Sequence, residues 1–217
     1  MTVLADSIEI DLGPQRLKAL LGVPPDASGL VIFAHGSGSG RLSPRNNRVA
    51  AALRDGGLVT LLLDLLTPEE EADRANVFDI ALLASRLSYA TDWAIAAPET
   101  AQLPIGYFGA STGAGAALVA AAAPRSPVKA IVSRGGRPDL AGDALLHVVA
   151  PTLLIVGSLD GQVIQFNRMA YERLAGPKDL LIVEGAGHLF EEPGTLREVE
   201  RHATRWFRHH LGGERGT

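Results

Sequence analysis

Continuous apolar runs alternate along this chain with longer stretches that are amphipathic or rich in alanine. The apolar runs predict strands of a parallel sheet, because such strands are covered on both faces. Eight strands are expected, near residues 8–12, 17–23, 30–34, 58–63, 104–109, 128–133, 152–156 and 180–183. Helices are expected at about 44–55, 79–97, 112–123, 139–147, 162–175 and 194–211. The first two strands, joined by Gly13-Pro14, are predicted to form an antiparallel hairpin at the sheet edge.

This alternation predicts a single α/β domain, residues 1–217, built on a mostly parallel eight-stranded sheet flanked by helices. A chain of 217 residues can bury one large core. The only sizeable polar insertion is Thr67–Arg74, which is too short to form a large lid. We therefore expect little or no cap domain and an open pocket, with this insertion shaping one wall of the site.

The first chemical signal is Gly109-Ala110-Ser111-Thr112-Gly113, which follows the apolar run 103–108. A strand that turns sharply into a helix with serine at the apex is a nucleophile elbow, and its tight turn needs small residues on both sides. Three alternatives compete. Gly109, Gly113 and Gly115 resemble a dehydrogenase turn, although no Tyr-x-x-x-Lys follows; a phosphate-binding P-loop would need Gly-Lys, which is absent. The serine could also merely cap the helix.

Two further residues follow predicted strands, and with Ser111 they give the chain order Ser, Asp, His that a catalytic triad on this type of turn requires. Asp160 follows the run 152–156, and His188 follows the run 180–183. A serine hydroxyl needs a general base, so His188 is predicted to take its proton and Asp160 to orient the imidazole. Asp139, beyond the strand near 128–133, occupies the other place where the acid could stand. An ordinary turn aspartate is the alternative for both acids.

A glycine-rich loop, His35-Gly36-Ser37-Gly38-Ser39-Gly40, follows the apolar run 30–34. Acyl transfer needs N–H donors aimed at the oxyanion, and the predicted donors are the backbone N–H groups of Ser37 and Thr112. His35 is expected to brace this loop rather than transfer protons. A dinucleotide-binding loop does not fit, because Arg41 stands where the third glycine is needed.

The combination of His35–Ser39, Ser43-Pro44-Arg45-Asn46, the 109–113 elbow, Gly157–Asp160 and Gly185–His188 resembles the dienelactone hydrolase-like branch of the α/β-hydrolase superfamily. It is particularly similar to the small members found alone or fused to phosphoribosyltransferases. The resemblance covers residues 30–207 and implies an α/β-hydrolase fold. Dienelactone hydrolase uses a cysteine nucleophile, whereas this chain has no cysteine, so the resemblance favours a serine esterase. The arginines that bind the substrate carboxylate in that enzyme have no match.

Three arginines nevertheless lie on loops where an anionic group could be met: Arg41, Arg45 and Arg134. The expected position of each is the solvated surface. Four apolar residues flank the predicted acid and base and are candidates for the pocket, with core packing as the alternative: Leu159, Val163, Leu189 and Phe190.

Composition narrows the function further. The formal net charge of −4 gives no electrostatic reason to expect a nucleic-acid partner. No run reaches the roughly eighteen apolar residues of a membrane span, so no membrane partner is expected. Residues 1–11 lack the order of a signal peptide, which makes a cytoplasmic location the expectation. No cofactor and no metal are expected, and the oligomeric state is open.

The sequence thus predicts a serine hydrolase that cleaves small, soluble or short-chain carboxylic esters through an acyl-enzyme on Ser111. Two alternatives belong to other classes. The same triad could act on thioesters or peptides, or carry out acyl transfer or cofactor-free perhydrolysis. The chain could also be a non-catalytic binding protein with the same fold.

Overall fold

The computed structural model describes residues 8 to 212, so the predictions for residues 1–7 and 213–217 lie outside the described part of the chain. Its centre is a sheet of eight strands, each close to its predicted range. The strands are β1 Ile8–Leu12, β2 Leu17–Gly22, β3 Leu30–Ala34, β4 Val59–Leu63, β5 Ile105–Ala110, β6 Val128–Arg134, β7 Thr152–Gly157 and β8 Lys178–Val183. Their order across the sheet is β1-β2-β4-β3-β5-β6-β7-β8.

The sheet is mostly parallel. Strands β1 and β2 form the predicted antiparallel hairpin at one edge, and β2 also pairs with β4 in antiparallel orientation. From β4 through β3, β5, β6 and β7 to β8 every pairing is parallel. The carboxyl ends of these strands therefore meet at one edge of the sheet, and β5 lies between β3 and β6.

Helices cover both faces of the sheet. They are α1 Pro44–Asp55, α2 Pro68–Glu71, α3 Arg74–Phe78, α4 Ile80–Ala96, α5 Thr112–Ala121, α6 Gly161–Arg173 and α7 Thr195–Leu211, with a 3-10 helix at Pro138–His147. One apolar cluster joins the sheet to α4, α5 and the 3-10 helix. A second cluster joins the opposite face to α1 and α7. This arrangement confirms the predicted α/β architecture.

Local sequence explains where several helices begin. The Ser43 Oγ accepts a hydrogen bond from the Asn46 N–H at 3.4 Å, with Pro44 as the first residue of α1. In the polar insertion, Thr67 and Glu70 form a capping box that starts α2, and Asp73 caps α3. These two short helices were not predicted, because four or five residues are too few to carry a periodic pattern.

Residues 138–147 differ from the α-helix that was expected there. They form a 3-10 helix that Gly142 interrupts with a φ of 54°. A positive φ cannot continue an α-helix, and glycine adopts it without strain. At the other end of the chain, Phe207 is fully buried in the second cluster and anchors α7 to the sheet. No helix within residues 8 to 212 is long and apolar enough to cross a membrane.

Candidate active site

Ser111 stands at the apex of the turn between β5 and α5. Its backbone has a φ of 49° and a ψ of −124°, which a residue with a side chain adopts only under strain. The two flanking glycines are needed for space. A Cβ on Gly109 would lie 2.5 Å from the Ala114 Cα, and one on Gly113 would lie 2.2 Å from the Ala34 carbonyl oxygen. The turn therefore has the geometry of a nucleophile elbow.

The capping alternative does not hold for Ser111. Although the residue occupies the N-cap position of α5, its side chain makes no capping hydrogen bond. Its carbonyl oxygen is engaged instead, accepting from the Ala114 N–H at 3.1 Å and from the Arg137 N–H at 2.9 Å. Backbone hydrogen bonds thus hold the strained turn, while the Ser111 hydroxyl has no hydrogen-bond partner among residues 8 to 212.

The glycine-rich loop after β3 packs directly against this turn. A Cβ on Gly36 would lie 2.8 Å from the Ser111 Cβ and 3.6 Å from its Oγ, so only glycine allows the approach. Ser37 and Thr112 line the same small cavity, together with Glu71 and Val77 of the α2–α3 segment. Within residues 8 to 212, neither the Ser37 nor the Thr112 backbone N–H has a hydrogen-bond acceptor. Both are available to an oxyanion.

His35 holds this loop in place. Its Nδ1 lies 2.9 Å from the Gly36 carbonyl oxygen, and its Nε2 accepts the Leu65 N–H at 2.9 Å. These partners assign the proton to Nδ1. Burial lowers the pKa of His35, which keeps the ring neutral. With both ring nitrogens occupied, His35 braces the loop, as predicted.

His188 and Asp160 come together at the carboxyl ends of β7 and β8. The His188 Nδ1 lies 2.6 Å from Oδ2 of Asp160, and the side chains are 40% and 15% exposed. The two loops are also joined through their backbones. Gly185 N–H donates to the Ser158 Oγ at 2.8 Å, and Leu159 N–H donates to the Ala186 carbonyl at 3.0 Å.

The competing acid, Asp139, has a different partner. Arg137 donates to both of its carboxylate oxygens, at 2.8 and 2.7 Å. Asp160, by contrast, occupies the N-cap position of α6 but makes no side-chain cap bond, so its carboxylate is not the ordinary turn aspartate. The geometry therefore pairs His188 with Asp160 and not with Asp139.

One turn, Gly135-Gly136, lies against both halves of the site. A Cβ on Gly135 would lie 2.9 Å from the His188 carbonyl oxygen and 3.6 Å from its Nδ1. One residue beyond the turn, Arg137 donates its N–H to Ser111. Buried Asn167 secures the turn by donating to the Gly136 carbonyl at 3.0 Å. Sequence reasoning missed Asn167, which lies within the ordinary helical pattern of α6.

Ser111 Oγ and His188 form no direct hydrogen bond among the described residues. Such bonds are often long without substrate and tighten only when it binds. The shared Gly135-Gly136 turn and the common sheet edge nevertheless bring the two residues to one region. Within residues 8 to 212, no group of three or more His, Asp or Glu side chains converges as a metal site.

The expected surface position holds for Arg45, only in part for Arg41 and not for Arg134. Arg41 donates to Asp64 at 2.5 Å and to Glu9 at 3.1 Å, and its side chain is only 19% exposed. Arg45 pairs with Glu191 at 2.8 Å. Arg134 is 7% exposed, so the prediction of a solvated position is wrong for it. Side chains along β6 alternate between the two faces of the sheet, and Arg134 lies on the face that α1 covers, away from solvent.

The apolar residues flanking the acid and base separate into two pairs. Val163 and Phe190 are 8% and 2% exposed and belong to the core. Leu159 and Leu189 are 68% and 42% exposed beside Asp160 and His188. Of the four, only the second pair is exposed beside the proposed acid and base.

Comparisons with known proteins support the fold and identify relatives of this chain. A crystal structure of a dienelactone hydrolase from Anabaena variabilis is 56% identical, with a TM-score of 0.90, and the match covers 94% of this chain and 97% of that one. The esterase Est1E from Butyrivibrio proteoclasticus has a TM-score of 0.79 at 16% identity, covering 95% and 99% of the two chains, and shares the fold. No protein-family profile matches the chain.

Two curated proteins, from two strains of Mycobacterium tuberculosis, are 59% identical over 208 residues and carry the provisional name phosphoribosyl transferase. The match covers 96% of this chain but only 47% of each relative. The chain thus spans about half the length of these relatives, and more than half of each lies outside the matched region.

Proposed function

The chain belongs to the dienelactone hydrolase-like branch of the α/β-hydrolase superfamily, and from this premise we propose that it is a serine hydrolase of carboxylic esters. Ser111 is the proposed nucleophile, His188 the general base and Asp160 the orienting acid. The observation that carries the proposal is the 2.6 Å contact between His188 Nδ1 and Asp160 Oδ2 at the sheet edge that also bears the strained Ser111.

The contact with Asp160 fixes how His188 can act. A carboxylate that accepts from Nδ1–H leaves the lone pair on Nε2 free to accept a proton. In the proposed reaction Ser111 Oγ attacks the ester carbonyl carbon while its proton passes to Nε2. The tetrahedral intermediate collapses as His188 returns that proton to the leaving alcohol, which gives an acyl-enzyme. Water activated by His188 then releases the acid.

The negative charge on the tetrahedral oxygen needs donors that are already in place. The backbone N–H groups of Ser37 and Thr112 are the proposed pair, because both residues line one cavity and neither N–H has an acceptor among residues 8 to 212. Removing one such donor costs about 3 to 4 kcal/mol of transition-state stabilisation in related sites. Their rigidity comes from the His35 brace and from the start of α5.

The proposed substrate is a small or short-chain ester. Leu159 and Leu189 offer an apolar contact beside the acid and base, but both are largely open to solvent. The α2–α3 segment contributes one wall and consists of only two short helices. A long acyl chain would therefore find little surface to bury.

A fluorophosphonate probe followed by peptide mapping tests the nucleophile. We expect labelling of Ser111 in folded protein and none in Ser111→Ala. A panel of p-nitrophenyl esters, thioesters and peptides then tests the reaction. Turnover of acetyl and butyryl esters that disappears in Ser111→Ala and His188→Ala supports the proposal, whereas labelling without turnover of any ester would favour another acyl-transfer reaction.

A second candidate comes from the name of the Mycobacterium tuberculosis relatives. That name is given to proteins of which this chain matches only 47%, so it does not assign phosphoribosyl transfer to this half. The geometry of an elbow with a histidine–aspartate pair favours acyl chemistry instead. Phosphoribosyl transfer to purine and pyrimidine bases by the purified chain, unaffected by Ser111→Ala, would reverse this preference.

A further inference from the structure

Arg134 is a buried cation at the carboxyl end of β6. Only 7% of its surface is exposed, and it pairs in register with Ala110, the residue before Ser111. Its one side-chain hydrogen bond to the described residues runs from Nη2 to the Asn46 Oδ1 at 3.3 Å. Its Nε and Nη1 atoms are buried and have no partner among the described residues. Burying a guanidinium in this way is costly unless an anion compensates it.

No such anion is supplied by residues 8 to 212. No carboxylate in that range lies within ion-pair distance of Arg134. Burial, and to a smaller extent the charge of Arg45, lower the pKa of Arg134 to about 10. Every described influence on this group therefore disfavours its charged form, which is unusual for an arginine.

The surroundings of Arg134 add to the positive potential. Asn46 lies in the first turn of α1, a helix of 12 residues with no acidic residue in that turn. The start of such a helix carries roughly half a positive charge. Arg45, also in this turn, has a buried Nε without a partner. Within residues 8 to 212 its only acidic partner is Glu191, whose side chain is 64% exposed.

We propose that Arg134, Arg45 and the first turn of α1 form a binding site for a phosphate group. Donor geometry decides between phosphate and carboxylate. Arg134 and Arg45 together leave three buried guanidinium nitrogens without a partner among the described residues, and the tetrahedral oxygens of a phosphate can face both groups at once, whereas the two oxygens of a carboxylate lie in one plane. The positive end of the α1 dipole adds to the attraction for an anion.

In this proposal a phosphate reaches Arg134, which does not itself line the outer cleft, by displacing the Arg45–Glu191 pair. A cleft of about 590 Å³ lies between the start of α1 and residues 190–197, and both Arg45 and Phe190 line it. Phe190 also lies close to Gly135, the residue after Arg134, since a Cβ on Gly135 would be 3.5 Å from the Phe190 ring. Exposed ion pairs contribute only about 0 to 1 kcal/mol, so an entering phosphate can displace Glu191 from Arg45 and reach Arg134.

Calorimetric titration of inorganic phosphate into the full chain, at constant ionic strength in chloride, tests the site. We expect one phosphate per chain and roughly ten- to hundredfold weaker binding in Arg134→Leu. Glu191→Gln should bind more tightly than wild type, because it frees Arg45. Arg173→Gln, which removes an exposed arginine paired with Asp143, is the matched control and should bind as wild type does.

The stability of the variants separates binding from folding. Without phosphate, Arg134→Leu should unfold at a temperature equal to or above that of wild type, because an uncompensated buried charge is removed. If this variant does not fold, Arg45→Gln replaces it and should also weaken phosphate binding. Wild-type affinity in both variants, or no binding to wild type, would overturn the proposal.

Two further ligands define the chemistry. Acetate that binds as tightly as phosphate would overturn the assignment in favour of a carboxylate site. Phenyl phosphate tests the source of the group: tighter binding than inorganic phosphate supports a phosphorylated organic ligand, and equal binding supports free phosphate. In either case the affinity for the ligand should fall in Arg134→Leu as it does for inorganic phosphate.

Discussion

Asp160→Asn is the substitution that most directly tests the proposed division of roles. The asparagine keeps the size of the side chain and can still meet His188 Nδ1, but it removes the negative charge. That charge matters most when His188 is protonated in the transition state, because the carboxylate then faces an imidazolium. We therefore expect kcat to fall while the fold is retained.

The size of the loss follows from the exposure of the pair. Two unit charges whose centres lie about 4 Å apart attract by about 1 kcal/mol in water and about 4 kcal/mol at an effective dielectric constant of 20. Asp160 is 15% exposed and His188 40%, so the pair lies between these limits. The expected fall in kcat is therefore roughly fivefold to a thousandfold.

The assay is hydrolysis of p-nitrophenyl acetate at pH 7.5, with circular dichroism to confirm folding. Asp139→Asn is the matched control. Its carboxylate is bound by Arg137, and the two side chains are 20% and 33% exposed, so the change should cost less than about 1 kcal/mol and leave kcat within severalfold. An active Asp160→Asn beside an inactive Asp139→Asn would refute the assignment of the acid.

Three further outcomes follow from the same geometry. Gly113→Ala should lower the free energy of unfolding by about 1 to 3 kcal/mol in urea titrations, because the new Cβ would lie 2.2 Å from the Ala34 carbonyl oxygen; an unchanged midpoint contradicts this. Burial lowers the pKa of His35, so the folded state favours the neutral ring. The stability that depends on this neutral ring is complete at pH values above the ordinary histidine pKa of 6.5 and declines as the pH falls below it. His35→Gln should therefore lose less stability than wild type between pH 7.5 and 5, and parallel losses would count against the neutral brace. Leu159→Ser should leave stability unchanged and reduce the preference for butyryl over acetyl esters by up to about fifteenfold, since the two additional methylenes contribute about 0.8 kcal/mol each when buried; an unaltered ratio would remove Leu159 from the pocket.

Much of the fold could be predicted because its signals are local and repeated. The run 103–108, the two glycines around Ser111 and the alanine-rich stretch after it each favour one structure, and together they define β5, the turn and α5. Parallel strands bring their carboxyl ends to one edge. Residues 35–40, 111, 160 and 188 could therefore be predicted to lie near one another without any long-range information.

The parts that could not be predicted depend on packing between distant segments. Arg134 follows an apolar strand and precedes Gly135-Gly136, a context that fits an exposed turn equally well. Its burial requires α1 and residues near Phe190 to close over it, which no local pattern reports. The role of Asn167 could not be predicted for the same reason, because its hydrogen bond to Gly136 joins residues 31 positions apart. The 3-10 helix was missed for a local reason, the positive φ of Gly142.

Two helix starts in this protein are capped less well than their sequences suggest, and both lie at the proposed active site. Ser111 and Asp160 are good capping residues, yet neither side chain caps its helix. A side-chain cap contributes typically about 1 kcal/mol, and the backbone of Ser111 adds strain of order 1 to 3 kcal/mol. The missing bonds have chemical consequences: the Ser111 hydroxyl is free, and the Asp160 carboxylate accepts from His188. A strong capping residue whose side chain does not cap its helix is therefore a sign of function. Composition and periodicity alone would assign that residue a role in stability.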